Sequence, residues 1–358
     1  MCWRKGNLWA NTAGREEIVK DTLVAVYYFA GWWREQPNKW MTEGRDWRTD
    51  YPERVPLLGE YVEAPTLERE IEAAASHGAD FFQILWYPQN KPDIHPHLSR
   101  LNDGLRFFTT ARNASKMYFT LEYVNHDPFS LTSDADWDAA CVEWAGALRH
   151  RSYLRVGGRP VFKIHRVHHF LQQNDGDVRR VAQRVKRLRW LMQSAGVSNP
   201  LIGAGVMATG VPKGDVVAPF DYLTTYMDVP NLPQRAEPYP YTQLLTMAEE
   251  AWQRYATESE KPYVPYLPAG WDPRPWKDPR ASFALPTREQ WKDALTRVKD
   301  ALQKHDRLGY PRIGGRQKAF LIYAWNEYGE GGIVAPTRGE GYMKLEAIRE
   351  VFAGASGR

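Results

Sequence analysis

Eight short apolar runs, separated by longer amphipathic segments, constrain this chain more than any other feature. They are LVAVYYFAG (23–31), DFFQILWYP (80–88), MYFTLEYVN (117–125), RPVFKIHR (159–166), PLIGAGVMA (200–208), DYLTTYMD (221–228), YVPYLPAGW (263–271) and KAFLIYAWNE (318–327). A parallel strand buried on both faces reads as a near-continuous apolar run, and alternation with helices is the mark of β/α units. Helices are expected over 66–78, 100–113, 134–149, 177–195, 241–258, 287–304 and 341–353. The segment 66–78 carries a Thr66 N-cap and ends at Gly78. In 177–193, Val178, Val181, Val185, Leu188 and Leu191 form one apolar stripe, and the Arg and Lys residues opposite read as a solvated face. Only a short connection joins the fifth and sixth runs.

Eight strands with intervening helices predict an α/β chain, a single (β/α)8 TIM barrel spanning 1–358. Residues 1–22 form an N-terminal extension, and 34–65, polar and rich in Trp and Pro, form a long first β/α loop over the active-site face. The rival, an open doubly wound sheet, lacks the GxGxxG turn after its first strand.

Net charge narrows the partners. Lys plus Arg is 47 against 43 for Asp plus Glu, a net charge of +4, which gives no reason to expect nucleic acid or an anionic membrane as a partner. The two cysteines, Cys2 and Cys141, exclude a disulfide framework and a Cys-rich metal site, and both are expected as free thiols. The N-terminal residues show no apolar core of a signal peptide, and the longest apolar stretch, 23–33, is too short to span a bilayer. Compartment and oligomeric state stay open. The aromatic count, 15 Trp, 19 Tyr and 13 Phe, points to flat ligand faces such as sugars.

In such a barrel the site lies at the C-terminal strand ends. Strand one delivers Tyr27, Tyr28, Trp32 and Trp33, and strand two delivers Trp86 and Tyr87. Strand three delivers Glu122 and Asn125, and strand four delivers Lys163 and His165. Strand six delivers Tyr226 and Asp228, and strand seven Trp271. Strand eight delivers Trp325, Asn326, Glu327 and, three residues on, Glu330. The tryptophans are candidates for stacking on sugar rings, and the polar groups for holding hydroxyls.

The last cluster, YAWNEYGEGG, is the most informative. Two residues three apart on a continuing strand would face opposite sides. The strand must therefore end near Asn326, and Gly329, Gly331 and Gly332 permit a tight turn that brings Glu327 and Glu330 to one cleft. Glycoside cleavage needs two carboxyls in different states, one protonated to assist the leaving oxygen and one ionised as base or nucleophile.

The runs YYFAGWW, HGADFFQILWYP and AWNEYGEGGIVAP resemble glycoside hydrolase family 99 and its bacterial polysaccharide-locus relatives, over about residues 23–352. The resemblance implies a (β/α)8 retaining, metal-independent endo-α-mannosidase or α-mannanase, in which an NE-x-x-E motif supplies both carboxylates. Glu327 would then deprotonate the sugar 2-hydroxyl, giving an epoxide-like intermediate, and Glu330 would be the general acid/base. The pair between the glutamates, Tyr328–Gly329, departs from the Trp-His-like pair of the family, and the last helix starts early. By this reading the partner is an oligo- or polysaccharide, and no cofactor or metal is called for.

Other assignments compete. A Glu122–Glu327 pair on different strands is the mechanistic rival. His165, His168 and His169 invite a metal reading that no second ligand cluster supports, and His168, His169, His95 and His97 are expected as loop residues. A sugar transferase would need a nucleotide-sugar site, and neither a DxD motif in context nor a phosphate loop is present. A non-catalytic carbohydrate-binding barrel would have no use for an acid.

Overall fold

The computed structural model describes residues 20–89 and 96–353. Its frame is a parallel barrel. In chain order the strands are β1 (Thr22–Tyr28), β2 (Phe81–Trp86), β3 (Tyr118–Tyr123), β4 (Arg159–Ile164), β5 (Leu201–Gly205), β6 (Tyr222–Thr224), β7 (Tyr263–Val264), β8 (Tyr266–Pro268) and β9 (Gly315–Tyr323). Consecutive strands pair in parallel from β1 to β7, and β1 pairs with β9 in the register Val24↔Phe320. β7 pairs with β6, while β8 pairs with β9. The two short pieces are one barrel position interrupted at Pro265, which has no N–H to give to a ladder. Its carbonyl still accepts from Leu321 N at 2.8 Å, so the break closes the barrel rather than opening it.

Each strand is shorter than its apolar run. The surplus aromatic and apolar residues, such as Phe29–Gly31 and Val206–Ala208, belong to the loops at the barrel mouth. β9 differs at its other end. It begins at Gly315 because Tyr310–Arg312 folds back against it as an antiparallel hairpin.

The helices are α1 (Ala64–Ser76), α2 (Asp103–Thr110), α3 (Asp134–Leu148), α4 (Val167–Gln172), α5 (Val178–Ser194), α6 (Tyr241–Glu258), α7 (Arg288–Lys304) and α8 (Met343–Ile348). Among the described residues no α-helix lies between β5 and β6, only the 3-10 turn Gly214–Val216. α7 opens with a capping box in which Thr287 and Gln290 satisfy each other's backbone N–H. α5 is capped by Asp177. α1 corrects the expected start. It begins two residues before Thr66, because Pro65 fits the first turn, and Thr66 lies buried inside the helix. His168 and His169 sit on α4, not in a loop. Cys2 and His95 lie outside the described residues, as does the side chain of His97. Cys141 is a buried free thiol. Among the described residues no helix is long and apolar enough to cross a membrane.

The loop between β1 and α1 folds over the mouth around an aromatic nucleus. Trp32 lies 4.2 Å from Trp40, ring centre to ring centre, and Trp40 stacks on Tyr328 at 5.5 Å. Trp47 and Trp276 complete the group. Burying this much indole surface gives a polar loop a core of its own.

Candidate functional site

Strand parity decides which residues face the barrel axis. In β1, Tyr27 points inward and its hydroxyl lies 2.7 Å from Lys163 Nζ. Tyr28 therefore points outward, where its hydroxyl donates to Glu70 on α1 at 2.8 Å. In β2, Gln83 points inward to Thr120, so Trp86 points outward and donates to Glu143 on α3 at 2.8 Å. Trp325 is fully buried against Phe82 on the same outer side. Tyr28, Trp86 and Trp325 are thus corrected as substrate contacts. They join the sheet to its helices.

Two asparagines are corrected for another reason. Asn326 accepts from Phe29 N at 2.9 Å and donates to Phe29 O at 2.7 Å. Asn125 makes the same pair with the Arg166 backbone, both bonds at 2.9 Å. Each amide extends the ladder past a strand end, which leaves little of it for a ligand. Trp32 and Trp33 are also structural, donating to Asn326 O and Pro37 O at 2.7 and 2.8 Å inside the first loop. Asp228 is held by Ala208 N and by Arg166 Nη1, the latter at 3.2 Å.

The remaining candidates converge. β9 ends at Tyr323, and Asn326–Glu327 (β10) pairs antiparallel with Gly332–Ile333 (β11). Between them the chain turns back on itself, with Gly331 at φ +77° and Glu330 N donating to Glu327 O at 3.1 Å. Gly329 rests directly on the Trp276 indole. A Cβ there would stand 2.1 Å from the ring, so the turn admits no side chain at that position. Arg54 of the first loop locks the turn from behind. It is buried, pairs with Asp272, and donates to Asp272 O at 2.8 Å and Tyr328 O at 3.3 Å. Asp272 N in turn donates to Glu330 O at 2.6 Å.

This turn presents both carboxyls to one cleft. Glu327 accepts from the Tyr226 hydroxyl at 3.0 Å, and Glu330 accepts from the Tyr323 hydroxyl. Burial, then the neighbouring Glu330 charge, push the Glu327 carboxyl up to about 8. Burial also raises Glu330, against the pull of Tyr323, Arg280 and Lys39. Two like groups this close cannot both ionise freely, and the Glu330 charge favours a proton on Glu327.

Below them lies a second carboxyl with opposite surroundings. Glu122 is fully buried, with Lys163 Nζ at 3.0 Å and His165 Nδ1 at 2.5 Å. Burial alone would raise Glu122, but Lys163 and His165 outweigh it and the carboxyl sits below its ordinary value. Burial lowers Lys163 to about 8 and His165 to about 4. His165 is therefore neutral near pH 7, donating from Nδ1 to Glu122 and leaving Nε2 as an acceptor. Its ring lies 4.7 Å from Tyr226, which also packs on Tyr27 and Tyr323. Tyr87 completes the wall, close enough to feel the charges of Glu327, Glu122 and Glu330.

A groove of about 820 Å³ lies between the loops after β5 and β6 and helix α6; Trp271 and Arg280 line it, while Glu327 and Glu330 do not. Trp271 does not offer a free face there, because the Arg280 guanidinium lies 4.4 Å over its ring. Among the described residues no group of three or more His, Cys, Asp or Glu could hold a metal ion.

Arg54, Arg280, Lys39, Tyr323 and Trp276 were not anticipated from the sequence. Tyr323 alone had a signal, as the first residue of the YAWNEYGEGG run; the others reach the site from loops with no local pattern.

A parallel barrel with a like-charged carboxyl pair at its C-terminal mouth is the class of protein that fold and site define. No family profile and no curated protein matches the chain. Among solved structures, the chain is similar to the endo-alpha-mannosidase of glycoside hydrolase family 99 from Bacteroides thetaiotaomicron. Identity is 13%, coverage is 93% of this chain and 98% of that one, and the TM-score is 0.57. The same enzyme in complex with bis-tris propane gives 14% identity, the same coverage and a TM-score of 0.56. A broad-specificity family 5 endoglucanase from Clostridium cellulovorans is 11% identical over 80% of this chain and 86% of that one, with a TM-score of 0.44. At these identities the family 99 likeness shows a shared fold.

Proposed function

We propose that this protein is a glycoside hydrolase, a single catalytic barrel that cleaves an α-linked, mannose-like glycan. The observation that carries the reading is the Glu327–Glu330 pair, two carboxyls of raised proton affinity that one glycine turn brings together at the barrel mouth. The likeness to an endo-alpha-mannosidase fold supports it.

The chemistry follows from the pair. Glycosidic cleavage asks one carboxyl to give a proton to the leaving oxygen while the other is ionised. A pair that holds a single proton over the working pH range offers both states at once. The Glu330 charge favours the proton on Glu327 at rest, so the reading suggested by the family 99 resemblance needs the proton on Glu330 by the time the leaving oxygen departs. Ionised Glu327 then takes the proton of the axial 2-hydroxyl, whose oxygen closes on C1 as the glycosidic bond breaks. Water opening the strained ring, with the proton roles reversed, gives net retention. Tyr226 and Tyr323 orient the two carboxyls, one hydroxyl each. Tyr27, Tyr87 and His165 line the same mouth, and the His165 Nε2 acceptor suits a sugar hydroxyl. Glu122 is a poor nucleophile, because Lys163 and His165 occupy its Oε1 and it has no exposed surface.

The test compares reducing ends released from α-mannans and bacterial polysaccharides by wild type, Glu330→Gln and Glu327→Gln. Release by wild type that falls about 10²–10⁴-fold in Glu330→Gln fits a lost general acid. Release that survives both substitutions removes the pair from the mechanism. Trapping of a covalent glycosyl ester on either glutamate would replace the epoxide route by direct attack.

A further inference from the structure

Arg280 is held more firmly than a groove-lining arginine needs to be. Its guanidinium lies 4.4 Å over Trp271. Its Nε and Nη2 bond Asp278 at 2.9 and 2.7 Å, and its backbone N–H donates to the same carboxylate at 2.9 Å. A stacked and doubly bonded guanidinium is a preorganised charge, with little rotamer freedom left to lose. So held, it stands with Nη2 3.8 Å from Glu330 Oε1. That is beyond hydrogen-bond reach, so the arginine adds a field without occupying the carboxyl's lone pairs.

The field is one-sided. Arg280 acts on Glu330 and Lys39 on both glutamates, whereas the Tyr226 hydroxyl is the hydrogen-bond donor to Glu327. The other groups that face Glu330 are Tyr323, Asp278 and Glu327. Tyr226 and Tyr87 also lie within its field. Of these Asp278 and Glu327 are anionic when ionised, and the tyrosines are neutral. Without Arg280, Lys39 would be the one cation among the described residues left to balance two carboxyls.

We propose that Arg280, fixed by Trp271 and Asp278, is the positioning residue that sets the pH window in which the Glu327–Glu330 pair carries a single proton. The proposal rests on the hydrolase reading for its meaning in catalysis, but not for its measurement. An opposite charge this close lowers the proton affinity of a carboxyl by about one to three pH units. Arg280 therefore makes the second proton, the one on Glu330, harder to add. The acid limb of the window, where Glu330 takes up its proton, lies lower in pH with Arg280 than without it, while the alkaline limb, set by Glu327, stays in place.

The experiment is the pH–rate profile of kcat/KM for wild type, Arg280→Gln and Arg280→Lys on a glycan the wild type cleaves. The acid limb of Arg280→Gln is expected to move up by about one pH unit, with the alkaline limb little moved. Arg280→Lys, which keeps the charge without the stack, is expected to recover at least half of the shift. A profile that merely falls in height, with both limbs in place, would overturn the proposal and leave Arg280 a structural or substrate-contact residue. The same variants are also titrated without substrate, following the carboxyl carbons of ¹³C-labelled glutamate by NMR. An upward displacement of the Glu330 titration in Arg280→Gln sustains the inference even if wild type cleaves nothing, an outcome that would sink the hydrolase reading alone. Unmoved titrations overturn the inference even if hydrolysis is found.

Discussion

Two buried carboxyl sites share the mouth of this barrel, and they are opposites. Glu122 sits between the Lys163 cation and a neutral His165 that donates to it, and is held ionised. Glu327 and Glu330 sit together, charges of like sign, with their nearest cations at one remove. Burial is deeper at Glu122, which has no exposed surface, than at Glu330, whose side chain is 18% exposed, yet burial raises the pair and is overruled at Glu122. The difference is the sign of the neighbour, and it separates two tasks. A compensated carboxylate is a rigid part, useful for fixing the tautomer of His165. An uncompensated pair keeps a proton that can be moved, which is the property acid–base chemistry needs.

Breaking the compensated site should have the larger effect on stability. Lys163→Met keeps the side-chain bulk and removes the cation, leaving Glu122 buried without its main partner. Loss of one partner from a buried pair costs about 3–5 kcal/mol. Chemical denaturation of Lys163→Met should show a drop of that size, and the double variant Glu122→Gln/Lys163→Met should recover part of it. An effect below about 1 kcal/mol, the range of exposed pairs, would show that Glu122 takes up a proton instead and that the two sites are less different than their geometry says.

The uncompensated site makes the opposite prediction. Its folded-state proton affinity is raised, so between the ordinary carboxyl value of 4.5 and about 8 the folded protein binds more protons than the unfolded chain. Stability from this group is therefore present at low pH and is lost as pH rises through that window. Glu327→Gln removes the group. Relative to wild type it should gain stability progressively from pH 5 to pH 8, by on the order of 2–3 kcal/mol at the upper end. Parallel stability–pH curves for the two proteins would rule out a raised carboxyl at Glu327. A gain in stability paired with a loss of turnover would mark the pair as a site whose strain is kept for its chemistry.

The contrast between the two sites also explains what could be read from the sequence. The barrel was legible because strands buried on both faces write themselves as apolar runs, and the short step between the fifth and sixth runs corresponds to the helix-free link at Gly214–Val216. The same property hid the facing of each side chain. In a run such as LVAVYY no polar residue marks the inward phase, so Tyr27 and Tyr28 looked alike, and Trp86 and Trp325 passed for mouth residues. Glu327 and Glu330 stood out because glycines around two carboxyls have few structural uses. Arg54, Lys39, Trp276 and Arg280 did not, because each reaches the turn across a large sequence distance. Arg54 meets Asp272 from 218 positions away. Two-residue couplings of that kind leave no periodic trace. The asparagines misled for a local reason: Asn125 and Asn326 have the right chemistry for sugar hydroxyls, but the nearest unpaired amide and carbonyl belong to the chain itself.

The smallest of the expected effects tests how the pair is brought together at all. Gly329 has its backbone pressed against Trp276, with the ring 2.1 Å from where a Cβ would be. Its φ is not in the left-handed region, so the demand for glycine here is one of space, not of backbone angle. Gly329→Ala must therefore push the indole or the turn, and overpacking of this kind costs about 1–2 kcal/mol. If the indole yields, Trp276→Leu in the same chain should restore stability, since the smaller side chain leaves room for the methyl. If the turn yields, Glu330 moves relative to Tyr323 and Arg280, and turnover should fall by more than stability does, with no rescue from Trp276→Leu. A Gly329→Ala variant that matches wild type in both stability and turnover would show that the turn is looser than its packing indicates. The contrast between a rigid lower carboxylate and a tightly held upper pair would then rest on charge alone.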